Sequence, residues 1–139
     1  MQAVRGQVKF MSETTRRWAG TSAWILLVLA SMVLIGYGLA RSTFFIWAPE
    51  PALLDAARVG GLFIDAGCML SLAAAVWSHL RGNPAWVTVC VGLPAVLVGW
   101  AALMDAHSLM RHLAAVVAFP LALGGVAEVI WARGHRQRG

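Results

Sequence analysis

Charge is scarce in this chain. Asp, Glu, Lys and Arg make up 12% of its 139 residues and hydrophobic side chains 60%, where a soluble domain carries about a quarter charged residues. A water-soluble fold of this length needs a charged exterior, and there are too few charges here to build one. Lysine is reduced to Lys9, tyrosine to Tyr37, and there are only two cysteines. Neither cysteine belongs to a CxxC pair or a Cys/His run, so no zinc or dithiol motif is present. GxSxG, Walker, GxGxxG and metalloprotease patterns are missing as well. No internal repeat or inverted duplication is evident. These absences leave a reaction without a recognisable catalytic signature, and the expectation is a protein that is not an enzyme.

What is present is four long apolar stretches, at residues 21–40, 59–80, 85–104 and 112–132, divided by short polar breaks. Each approaches the roughly 20 residues an α-helix needs to cross a ~30 Å hydrocarbon core. The fold class is therefore all-α, a four-helix transmembrane bundle forming a single domain over residues 21–132. Basic tails at 1–20 and 133–139 flank it. A cleaved signal peptide is disfavoured, because the first apolar run exceeds the usual 7–15-residue h-region. Residues 1–10 lack apolar periodicity and read as a disordered tail, with Met11 a possible alternative start.

Charge placement orients the bundle. Arg5, Lys9, Arg16, Arg17, Arg81, Arg133, Arg136 and Arg138 fall on one side. Arg41, Arg58 and Arg111 fall on the other, among Glu50, Asp55, Asp65 and Asp105. That asymmetry predicts both termini in the cytoplasm. Trp18, Trp24, Trp77, Trp86 and Trp131 read as an inner interfacial belt, Trp47 and Trp100 as an outer one. The basic tails then act as topology signals and anionic-lipid contacts, not as a nucleic-acid site. The Ala-, Val-, Trp- and Arg-rich, lysine-poor composition is that of a high-GC bacterium, which points to the cytoplasmic (inner) membrane.

The connections add detail. Phe44–Trp47 is expected to lie in the outer interface as a membrane-hugging connector, with 51–58 supplying one or two helical turns into the second span. Arg81-Gly82-Asn83-Pro84 reads as a tight turn, since Gly and Asn tolerate left-handed geometry and Pro presets φ for the next helix. Pro94 and Pro120 each remove a backbone hydrogen bond, and Gly124-Gly125 makes the fourth helix the one expected to be irregular. Small residues at Gly67, Ser71, Ala74 and Ser78, and at Ala114, Ala118, Ala122 and Gly125, mark packing faces for the bundle, for self-association or for other membrane subunits.

Asp65 is the most informative polar residue. An ionised carboxylate inside a span is expensive unless paired or hydrated, so it is expected to face the bundle interior. Its candidate companions are Tyr37 and Arg41, either as a proton- or cation-coupling set or as a structural anchor, with Arg111 a further possible ion-pair partner. A second cluster, Asp105, His107 and His112 with Asp55, falls at the outer rim. Carboxylate and imidazole ligands there would suit a divalent metal, or a single haem through His107 or His112, although the chain has no motif that requires a cofactor. Glu128 reads as snorkelling or paired with Arg133 or Arg81. Cys68 and Cys90 fall roughly 14 Å and 22 Å below the outer ends of their helices, a mismatch that disfavours a disulfide.

Three functions are consistent with these residues. The leading one is a non-enzymatic accessory or assembly subunit of a larger membrane complex. The second is a small oligomeric transporter or channel coupled through Asp65. The third is an outward-facing metal- or ligand-binding protein using Asp105, His107 and His112.

Overall fold

The computed structural model describes residues 2–42, 51–104 and 109–136, all in helices or in the two tight connections between them. The elements are α1 (Gln2–Ser42), α2 (Pro51–Leu80), α3 (Ala85–Met104) and α4 (Met110–Arg136). All four contain segments long and apolar enough to cross a membrane: Trp18–Ser42, Leu54–Leu80, Ala85–Met104 and Met110–His135. The third coincides with its sequence-read span. The others are longer, because helix propagation from an established apolar core is easier than nucleation. The same effect carries α1 back to Gln2, where the sequence suggested a disordered tail; that stretch contains no proline and many good helix formers.

The burial pattern is consistent with a bundle surrounded by lipid. The outer surface is studded with large apolar side chains, among them Leu26, Val33, Leu62, Met69, Leu103 and Val116. The interior combines large apolar side chains such as Trp24, Ile35 and Ile64 with small or hydroxylated ones: Ser31, Ser71, Ala74, Ser78, Ala118 and Ala122 are at most 1% exposed. In water that distribution would leave most of the apolar surface unburied. In lipid it is the expected one, because hydrocarbon tails solvate Leu and Val while small residues let backbones approach.

The core follows a strict register. Buried positions recur in alternating steps of four and three: Trp24, Val28, Ser31, Ile35 and Gly38 on α1, and Gly60, Ile64, Gly67, Ser71, Ala74 and Ser78 on α2. Val87, Val91, Pro94 and Val98 on α3 continue the pattern, as do Arg111, Ala115, Ala118, Ala122, Gly125 and Val129 on α4. A 3.5-residue repeat is the period of left-handed knobs-into-holes packing. The α1–α2 pair is the tightest. A Cβ on Gly38 would lie 2.5 Å from the Gly60 carbonyl oxygen, and one on Gly67 2.9 Å from the Ser31 carbonyl oxygen. Trp24 belongs to this core and not to an interfacial belt: it is 1% exposed, and its indole N–H donates to the Ala74 carbonyl at 2.9 Å. Trp18, Trp77, Trp86 and Trp131 are exposed, as an interfacial belt requires.

Helix α2 ends where the sequence predicts. Gly82 adopts φ 69°. The Asn83 N–H bonds the Ser78 carbonyl at 3.2 Å and the Gly82 N–H bonds the His79 carbonyl at 2.9 Å, the paired bonds of a Schellman cap. The Pro84 carbonyl then accepts from Val87 and Thr88 to open α3. Helix α4 was expected to be irregular at Pro120 and Gly124-Gly125, yet it runs unbroken from Met110 to Arg136. Pro120 is exposed and Pro94 is buried, each inside a continuous helix.

Candidate functional site

Thr21, Arg81 and Arg133 mark the end of the bundle nearest both chain ends, called here the proximal rim. Arg41, Arg58 and Arg111 mark the distal rim. Asp65 lies between them on α2, nearer the distal side. Arg41 is level with Gly60, since its Cβ lies 3.2 Å from where a Gly60 Cβ would stand. Five residues separate Gly60 from Asp65, so the carboxylate lies roughly 8 Å below the distal arginines.

Its orientation differs from the sequence-based expectation. Ile64 and Gly67 face the core, and Asp65 is exposed on the outward flank of α2. Met69, Leu72, Val76 and His79 are exposed as well, and Cys68 is half-buried. Among the described residues Asp65 takes part in no salt bridge or hydrogen bond.

Tyr37 and Arg41 form a cluster of their own. Tyr37 packs edge-on against Phe63 with ring centroids 5.0 Å apart, and the Arg41 guanidinium sits 5.5 Å from the Tyr37 centroid. Phe63 lies about 160° around α2 from Asp65, at 100° per residue. The structure therefore brings Tyr37 and Arg41 together and leaves Asp65 on the opposite flank of the same helix. The Arg41–Tyr37 contact, between exposed groups, contributes about 0.5–1 kcal/mol by cation–π attraction.

The rim cluster is only partly visible. Asp105 and His107 lie outside the described residues. Asp55 is exposed, His112 is half-buried, and Arg111 is 4% exposed at the start of α4. Arg111 occupies a core position of the α4 repeat, so a cation closes the distal end of the bundle interior. No group of three or more metal-ligating side chains occurs among the described residues. Glu128 is half-buried and makes no ion pair among the described residues, so pairing with Arg133 or Arg81 does not account for it. Cys68 and Cys90 are free thiols. Cys68 lies beside Gly99 and Cys90 beside Gly125, at different heights in the bundle.

Two features were not read from the sequence. One is an open apolar groove of about 500 Å³ between α3 and α4, lined by residues including Leu97, Trp100, Met104, Met110, Leu113 and Val117. Its walls are apolar, so it can hold a hydrocarbon chain but offers no chemistry. The other is the meeting of Arg81 and Arg133 at Thr21. Its sequence signal was Thr21 at the start of the first span, with one arginine just past the second span and another just past the fourth.

The chain matches no protein-family model, no curated protein and no solved structure.

Proposed function

We propose that this protein is a non-enzymatic assembly subunit of a larger membrane complex, joined to its partner through the outward face of α2. The observation that carries this reading is the position of Asp65, exposed on a surface otherwise made of Leu62, Met69, Leu72 and Val76. A carboxylate in contact with lipid costs about 2.5–3.5 kcal/mol at the centre of a span and less towards the rim. A partner helix presenting a cation or a hydrogen-bond donor at that depth removes the penalty and fixes the pairing. The interior supports the same conclusion, because its buried polar groups are Thr21, Ser31, Ser71, Ser78 and Arg111 among the described residues. Ser31 is bonded to the Val28 carbonyl and Ser71 to the Val91 carbonyl. Both hydroxyls are committed to backbone carbonyls.

The address that goes with this reading is a bacterial inner membrane, with both termini in the cytoplasm. In mild detergent the protein should co-purify with a defined larger partner, and Asp65→Leu should release it while leaving the bundle folded. Isolation of the wild type solely as a monodisperse homo-oligomer would count against assembly with another protein.

The same exposed carboxylate allows a second reading, a transporter or channel formed between copies with Asp65 at the contact. It requires pH- or cation-dependent flux in proteoliposomes that Asp65→Asn abolishes. The apolar run Met69, Leu72 and Val76 below Asp65 makes it the weaker reading, since no polar path continues across the membrane.

A further inference from the structure

The outward flank of α2 carries charge of both signs, set two turns apart. Arg58 and Asp65 are both exposed, and neither makes an ion pair or hydrogen bond among the described residues. Seven residues separate them, so they lie about 20° apart around the helix and roughly 10 Å apart along it. Their situations differ. Arg58 stands at the distal rim, where a long side chain can reach headgroup level. Asp65 lies roughly 8 Å deeper on a short side chain that cannot. Leu62, Met69, Leu72 and Val76 fall within about 60° of it and are exposed too, so these neighbours offer it no counter-charge.

The two charges together specify what can cover this flank. A neutral hydrogen-bond donor would satisfy the carboxylate oxygens and leave the charge in place. A cation does both, and in a low-dielectric setting that attraction is far stronger than in water. Arg58 then sets the depth. A partner cation one or two turns nearer the distal rim meets Arg58 and is repelled. One placed nearer the proximal rim meets Met69, Leu72 and Val76 and stays unpaired.

We propose that the occupant of this flank is a membrane-spanning helix of another protein with one lysine or arginine at the depth of Asp65. That residue lies about five positions inside the partner's distal end, with apolar residues from there towards the proximal rim. The inference deepens the assembly reading and rests on it, naming the chemistry of the partner at the same contact.

The probe is a synthetic leucine–alanine membrane-spanning peptide with a single lysine about five residues from one end. It is added to the full chain in mild detergent and bound peptide is counted by native mass spectrometry. It should bind about ten-fold more tightly than the same peptide with leucine at that position. Asp65→Asn keeps a hydrogen-bonding side chain, loses the charge and should abolish the advantage at unchanged helix content. Asp65→Lys should instead prefer a peptide with glutamate there. Moving the lysine one turn nearer the peptide's end should also remove the advantage, and Arg58→Gln should restore it. Equal binding of the lysine and leucine peptides to the wild type, or a lysine advantage that survives Asp65→Asn, would overturn the proposal. The natural partner separates this inference from the assembly reading. A partner retained by Asp65→Asn but released by Asp65→Leu upholds assembly and overturns the cation. A wild type that prefers the lysine peptide yet brings down no partner overturns the assembly reading instead.

Discussion

Replacing Gly38 with alanine probes the α1–α2 contact at its closest point. The added Cβ would stand 2.5 Å from the Gly60 carbonyl oxygen, 2.7 Å from Ile64 Cγ1 and 2.9 Å from the Ile64 nitrogen. Two of those three atoms are backbone, so no rotamer change relieves the clash and the helices must part. Parting them loosens the contacts that Ile35, Leu39 and Ile64 make in the distal half of the core. Overpacking of this kind costs about 1–3 kcal/mol, set against a helix-propensity gain of about 0.5–1 kcal/mol for Gly→Ala. The expected net effect is a destabilisation of about 1–2 kcal/mol. Gly61 supplies the internal control, because nothing lies within 4 Å of the Cβ it would acquire. Gly61→Ala should be neutral or stabilising by up to about 1 kcal/mol. Equilibrium unfolding in mixed micelles, titrated with a denaturing detergent and followed by circular dichroism, measures both. Equal stabilities for the two variants would refute the close-packed register.

Other consequences follow from single contacts. Trp24→Phe removes the indole donor and leaves the Ala74 carbonyl without it, which should cost about 1–3 kcal/mol in the same unfolding assay. Gly82→Ala places a side chain at φ 69° and should lower stability by about 1 kcal/mol without altering helix content. Cys68 and Cys90 are half-buried among the helices, so in intact vesicles both should resist a membrane-impermeant maleimide and react only after the bundle is unfolded. Full labelling of either before unfolding would argue against its position within a span.

The sequence revealed the number of helices and the Gly82 turn because both depend on local signals: apolar length in one case, a residue tolerant of positive φ in the other. The Gly67, Ser71, Ala74 and Ser78 stripe was also legible and is fully buried. The orientation of Asp65 was not deduced, for a physical reason. In a lipid-facing bundle both the core side and the outer side of a helix are apolar, so hydropathy does not distinguish them. Residue size does. Asp65 lies about 100° around the helix from Ile64 and about 160° from Gly67, away from the small-residue stripe, and the stripe itself would have placed it outside. Trp24 misled for a related reason, since an amphipathic ring serves equally at an interface or in a core where its N–H finds a carbonyl. The convergence at Thr21 joins residues far apart in the chain and could emerge only from the packing of α1, α2 and α4.

The assembly reading depends most on what covers the α2 face in the native membrane. Met69 lies one turn below Asp65 on that face and is 67% exposed, so a photoreactive methionine analogue confined to position 69 reports the neighbour while leaving the carboxylate intact. Val33, on α1 and 69% exposed, carries the same photoreactive group as a control. Illumination in native membranes should yield one discrete heterologous adduct from position 69, lost in Asp65→Leu, and only lipid adducts from position 33. Lipid adducts alone from both positions, or adducts solely between copies of this chain, would contradict the account.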